Sequence, residues 1–309
     1  MTYVQGGYWK DPYRFYARTL KYASSYSARV NYNFGVICER LNKDGEALKA
    51  FKKALEIEPD YPEAYLNLGN LYAKTRDYEK AESTYLNGLV SDPENANLYQ
   101  QLGVLYSKMG RYPEAIERYQ GGLEKDPGHA GLYYNLGNVL LDMRRQEEAL
   151  AMYGKALNIN PRHYNALINS GVARAALGEY EMAIEAFKRA TLADPTTATG
   201  FFYVAQMYRE LSRNEEAIEY FREAIRVKDD DARFHAGLGV AYAATGRHKE
   251  ALDAYLEALA IDPANGKTHY NAAVVYYHLK QNDKAREHAA EAARLGYEVN
   301  PRLLDLIGN

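Results

Sequence analysis

In the stretch LYYNLGNVLLD, Leu132–Asp142, a polar amide, Asn135, stands in the middle of an otherwise hydrophobic, glycine-containing run, and the pattern returns along the chain at a fixed interval. Shifting the sequence on itself by 34 residues brings Ala47, Ala81, Ala115, Ala149, Ala183, Ala217, Ala251 and Ala285 into one column without a gap. With Ala28 as the first residue of the unit, eight repeats run over 28–61, 62–95, 96–129, 130–163, 164–197, 198–231, 232–265 and 266–299. The eighth place of each is glycine, except for Ala205 and Ala273, and the twenty-seventh is only alanine or glycine. The twenty-fourth place takes a ring, Phe51, Tyr85, Tyr119, Tyr153, Phe187, Phe221 and Tyr255, until Ala289 replaces it in the last unit. Small residues let two helices approach closely, and a ring fills the space beside the contact. Glycine inside a helix costs about 1 kcal/mol relative to alanine, so its recurrence calls for such a packing reason.

Each unit therefore reads as two helices. The first covers roughly the second to fourteenth places; a short turn follows, such as MGRYP at Met109–Pro113, and the second helix runs to about the thirty-first place. Prolines 59, 93, 127, 161, 195 and 263 close the second helices, because proline cannot extend a helix interior. Repeat six ends on Asp229, expected to cap the following helix, and repeat eight on Tyr297. Outside the repeats, Asp11 and Pro12 start a helix with Phe15, Tyr16, Thr19, Leu20 and Ala23 on one face, so residues 1–27 form an N-terminal segment with a capping helix. Residues 300–309 form a C-terminal cap, with Asn300 and Pro301 at its start and Leu303, Leu304, Leu306 and Ile307 expected to cover the exposed edge of repeat eight.

Composition narrows the function more than the fold. A formal charge of −3 gives no electrostatic footprint for nucleic acid or anionic membrane, and the single cysteine, Cys38, excludes an intrachain disulfide or a cysteine cluster for metal. No run of eighteen apolar residues exists and the first thirty residues lack the apolar core of a signal peptide, so the chain reads as soluble, cytoplasmic or extracytoplasmic. None of the seven histidines forms the two-histidine helical motif of a zinc protease, and no phosphate loop or nucleophile elbow is present. His129 and His163 fall in inter-repeat turns, where solvation is expected, and His278 on a first helix is expected at the inner face. No catalysis, cofactor or metal is expected. Tyrosine is the oddity, with 30 copies against 8 Phe and 1 Trp.

The small, aromatic and proline columns resemble the tetratricopeptide repeat over residues 28–299. The resemblance implies an all-α fold, an α-α superhelix in which stacked antiparallel helix pairs form a right-handed solenoid with first helices lining a concave groove. A single unit cannot bury its apolar face alone, which accounts for the caps at both ends. The succession Trp9, Asp11, Phe15, Thr19, Leu20, Ser27, Ala28, Arg29, Asn33 and Gly35 is similar to the junction of transmembrane-and-tetratricopeptide proteins, whose repeats follow a membrane part related to protein O-mannosyltransferases.

In that register the sixth place faces the groove and holds Asn33, Asn67, Gln101, Asn135, Asn169, Tyr203, Gly237 and Asn271. An amide matches the donor and acceptor of a peptide unit, so amides on successive helices can hold an extended chain by its backbone, the asparagine ladder of some members of the family. Tyr32, Tyr134, Phe202 and Tyr270 at the fifth place, with Tyr203 beside them and Asn70 and Asn138 at the ninth, supply rings and further amides for selectivity. The fifth place never holds lysine, so the carboxylate clamp of the chaperone-tail binders cannot be assembled. The expectation is a non-enzymatic protein–protein interaction scaffold that binds an extended peptide segment. The alternatives are a partner-recruiting arm of a membrane-bound glycosyltransferase-like protein and a groove for glycan.

Overall fold

Pairs of helices of nearly equal length, 13 or 14 residues each, follow from the columns above. The computed structural model describes residues 11–23 and 27–308. Trp9 and Asn309, and the side chain of Ala23, lie outside the described residues. Among those described there are only helices, and the fold belongs to the all-α, α-α superhelix class.

Two compact units divide the chain at Arg145, inside the turn between the two helices of the fourth repeat. The first unit holds α1 (Pro12–Ala23), α2 (Ala28–Arg40), α3 (Asp44–Ile57), α4 (Pro62–Lys74), α5 (Tyr78–Ser91), α6 (Ala96–Lys108), α7 (Tyr112–Lys125) and α8 (Ala130–Asp142). The second holds α9 (Gln146–Ile159), α10 (Tyr164–Ala176), α11 (Tyr180–Ala193), α12 (Ala198–Glu210), α13 (Asn214–Val227), α14 (Ala232–Ala244), α15 (His248–Ile261), α16 (Gly266–His278), α17 (Asn282–Arg294) and α18 (Pro301–Gly308). From α2 to α17, every helix starts 34 residues after its counterpart in the preceding pair.

Within each unit the alanine column is the seam of the pairs, and all eight of its members, from Ala47 to Ala285, are fully buried. Beside it the twenty-fourth-place ring lies on the eighth-place glycine. A methyl added at Gly35 would stand 2.6 Å from the Phe51 ring, and one at Gly239 2.6 Å from Tyr255. Both departures from glycine have a physical reason. Ala273 faces the pair in which Ala289 has replaced the ring, leaving room for its methyl. Ala205 keeps its methyl because the Phe221 ring rests on Gly237 of the next repeat, 2.5 Å from where a side chain would begin. Much of the tyrosine surplus is structural: Tyr85, Tyr119, Tyr153 and Tyr255 are at most 2% exposed, and Tyr72, Tyr106, Tyr208, Tyr242 and Tyr276 are buried at the eleventh place. Cations cover the outer faces of several of these, Arg111 at 4.2 Å from Tyr106, Arg213 at 4.6 Å from Tyr208 and Arg247 at 4.5 Å from Tyr242.

Both ends pack as caps, with differences of detail. Tyr13 of α1 donates to Glu46 at 2.8 Å and sets its ring 5.6 Å from Phe34. In α18, Leu303 and Ile307 are buried, but Leu304 and Leu306 are about half exposed, since an eight-residue helix turns only one stripe toward its neighbour. The cap of α14 is Asp231, whose carboxylate accepts from Arg233 N at 3.1 Å; the expected cap, Asp229, instead offers its backbone carbonyl to His235 Nε2 at 2.9 Å.

The turn inside each pair has a feature not visible in any single column. The fifteenth place, Asn42, Arg76, Gly110, Arg144, Gly178, Ser212, Gly246 and Lys280, is left-handed throughout, with φ from 55° to 77°. Non-glycine residues carry about 1–2 kcal/mol of strain there. Replacing Gly178 by Ala is expected to lower stability by about 1 kcal/mol, and Ser212→Gly to raise it by up to about the same amount, in urea unfolding of the whole chain. Equal effects of the two substitutions would contradict the left-handed assignment.

Candidate functional site: the first-helix faces

The 34-residue spacing returns the sixth place to the same side of each first helix. In the first unit it brings Asn33, Asn67, Gln101 and Asn135 onto α2, α4, α6 and α8, each half-buried. Two of these amides are held by a tyrosine from an earlier element: Asn33 Nδ2 donates to the Tyr16 hydroxyl at 3.3 Å, and Asn67 Nδ2 to that of Tyr32 at 3.1 Å. Each bond uses one of the two hydrogens on the amide nitrogen. The Tyr32 ring is itself wedged 5.0 Å from Tyr61 and 5.9 Å from Phe51. Burial raises its hydroxyl pKa, and the Asn67 bond works in the opposite direction. On α8, Tyr134 and Asn138 are half-buried and hold interactions of their own.

Asn70 has a task inside the fold. Its Oδ1 accepts from the Tyr85 hydroxyl at 2.7 Å, satisfying a ring that is 1% exposed and whose pKa burial pushes well up. The sequence carries a signal for this: asparagine occurs at the ninth place only in repeats two and four, and in both the twenty-fourth place is tyrosine rather than phenylalanine.

In the second unit the face is more aromatic and more closed. Phe202 is only 8% exposed, its ring tilted against Phe221 at 6.0 Å and Phe234 at 5.1 Å. Tyr203 is half-buried and stacks on Phe187 at 5.0 Å. Tyr270 lies 5.2 Å from Tyr297. Asn169 is half-buried and already engaged, whereas Asn271 lines a cleft of about 210 Å³ together with Phe202, Gln206 and Val240. The ring of Phe221 excludes any side chain at position 237, so the break in the amide column there is a packing requirement.

The histidines do more structural work than their positions in turns suggested. His129 Nδ1 accepts from Leu132 N and His163 Nδ1 from Ala166 N, both at 3.2 Å, so these rings cap α8 and α10 rather than standing in solvent. His278, expected at the inner face, stacks on His248 with centroids 4.8 Å apart and planes 2° from parallel. His269 donates Nε2–H to the Pro263 carbonyl at 3.1 Å, which leaves its Nδ1 as the acceptor for His288 Nδ1–H at 3.0 Å. Burial, then the facing His269, lowers the His288 pKa, while Glu287 and Glu291 oppose the shift. Among the described residues no group of three or more His, Cys, Asp or Glu side chains could hold a metal, and no helix is long and apolar enough to cross a membrane.

Known proteins agree with this architecture. Residues 94–302 match the family described as the cilia and flagella-associated protein 70 C-terminal domain, residues 35–75 match the TPR repeat, and residues 64–96 the tetratricopeptide repeat. Among solved structures, the C-terminal part of a TPR repeat-containing protein from Cytophaga hutchinsonii is 19% identical with a TM-score of 0.63, covering 78% of this chain and 98% of its own. The pilF protein of Pseudomonas aeruginosa is 19% identical with a TM-score of 0.58, covering 69% and 96%. YrrB, a TPR protein with an unusual peptide-binding site, is 27% identical with a TM-score of 0.49, covering 60% and 96%. No match is found among curated proteins.

Two outcomes test the site chemistry. Asn70→Val should cost about 1–3 kcal/mol because it strands the Tyr85 hydroxyl, and adding Tyr85→Phe should recover most of that loss; an unchanged melting point for the single variant would show that the bond does not matter. The lowered His288 pKa means that the unfolded chain binds this proton more readily. Its neutral form leaves stability intact above about pH 6.5, and stability falls as pH drops from there through the folded pKa. His288→Gln should flatten that part of the stability–pH curve, and a curve superimposable on wild type would refute the assignment.

Proposed function

Because the chain belongs to the tetratricopeptide repeat family, with well over half its length matching the domain described as the cilia and flagella-associated protein 70 C-terminal domain, we propose that it is a scaffold that grips an extended segment of a partner protein through the amides of its first helices. The family's fold serves protein–protein interaction. The observation that carries the finer reading is the bracing of Asn67 by Tyr32. An amide held in one rotamer by a hydroxyl loses little conformational freedom when a peptide binds, so more of its hydrogen-bond energy appears as affinity.

In the first unit Asn33, Asn67, Gln101 and Asn135 stand one per repeat on half-buried ground, spaced along α2, α4, α6 and α8. Each contact with a peptide backbone contributes about 0.5–1.5 kcal/mol net, so useful affinity comes from several together. Backbone contacts of this kind select for extended conformation, leaving sequence preference to the rings and charges around them. Asn169 and Asn271 continue the same role in the second unit, where Tyr203 and Gly237 interrupt the column.

Changing Asn67, Gln101 and Asn135 together to Ala is expected to leave helicity and melting near wild type and to weaken capture of peptides selected from a display library by at least about tenfold, the loss of three modest bonds. Equal capture by wild type and variant would overturn the amide reading.

A further inference from the structure

In repeat seven Ala236 and Gly237 hold the fifth and sixth places with no more than a methyl between them, and both line a cleft of about 210 Å³ among α12, α14 and α16. Its cause lies one repeat earlier. Ala205 carries a methyl at the eighth place where glycine elsewhere receives the ring, and the Phe221 ring rests on Gly237 instead. Position 237 is thereby kept empty of side chain, and Ala236 adds only a methyl to the floor.

The lining is not neutral. Phe202 and Val240 supply apolar floor, and the amides of Gln206 and Asn271 face the space. Arg209, Arg233 and Lys267 also line it, and no carboxylate does, in a chain whose formal charge is −3. Arg233 is aimed by Asp231, which takes its Nε at 2.9 Å and an Nη at 2.6 Å, and its guanidinium lies 5.6 Å from the Phe202 ring. Arg209 keeps an exposed contact with Glu210 at 3.1 Å, and Lys267 is exposed at the mouth.

We propose that this cleft receives a glutamate side chain of the bound peptide. The glutamate methylenes lie on Phe202 and Val240, and its carboxylate sits among the three cations with the two amides as further donors. Glutamate fits better than aspartate because the apolar floor calls for a stem between backbone and charge. The proposal rests on the reading that the first-helix face binds extended peptide, and it adds a residue preference at one place on that face. Charge-assisted contacts of this type are stronger than neutral ones and weaken as salt rises.

The test uses a display library of random linear peptides selected on the full-length wild-type chain and counter-selected on Arg209→Glu/Lys267→Glu. Circular dichroism and melting first establish that the variant is folded. The peptides that survive should carry glutamate in excess, and a synthetic survivor should lose at least tenfold in affinity on Glu→Gln, with the loss shrinking at high salt. Survivors without that excess, survivors that need a phosphoserine or a free C-terminus instead, or no survivors at all would overturn the glutamate cleft. Peptides that bind wild type and this variant equally but are lost with Asn67→Ala/Gln101→Ala/Asn135→Ala would keep the scaffold reading while removing this one. A library that yields no binder to wild type would sink both.

Discussion

Everything in this fold depends on how closely two helices of a pair can approach. Eight alanines have no exposed surface, and within each unit they form the seam of the pairs, where a ring from the second helix presses on a glycine of the first. Neither residue can grow without pushing the helices apart, which in a close-packed interior costs about 1–3 kcal/mol. Where one member of the ring–glycine contact changes, its partner has changed too. Ala289 removes a ring and Ala273 fills the space; Ala205 displaces a ring and Gly237, a repeat away, makes room for it. Compensation of this kind shows that the columns are physical contacts and not a residue of repetition.

Because the seam supplies cohesion, the fifth and sixth places of the first helices can differ from repeat to repeat, from amides to packed rings to glycine. The amides at 33 and 67 are nonetheless ordered, each tied to a tyrosine hydroxyl from a preceding element. In the second unit Asn169 and Asn271 hold the same place, with the stacked ring of Tyr203 and the enforced glycine at 237 between them. One constraint thus produces two kinds of surface, a row of amides in the first unit and a basic, apolar-floored cleft in the second.

The sequence made the period, the helix pairs and the family legible because each rests on a residue type recurring in one column. Features that depend on a relation between columns were harder to read. The bond that the Tyr85 hydroxyl donates to Asn70 joins the twenty-fourth place to the ninth. The left-handed fifteenth place is filled by Asn, Arg, Ser or Lys in five repeats and by Gly in only three, so no consistent glycine signal marks it. The capping role of His129 and His163 was hidden because a histidine in a polar turn looks like any solvated side chain. At the C-terminal cap, an apolar run overstated the buried stripe, and only Leu303 and Ile307 are covered.

The central claim is that the seam frees the first-helix amides to meet a partner's backbone. A crystal structure of the chain with a library-selected peptide tests it most directly. The account predicts an extended peptide with its backbone N–H and C=O groups within hydrogen-bond distance of the Asn67, Gln101 and Asn135 side chains. A peptide seated on the second helices, or one bound with no hydrogen bond to any of those three amides, would contradict it.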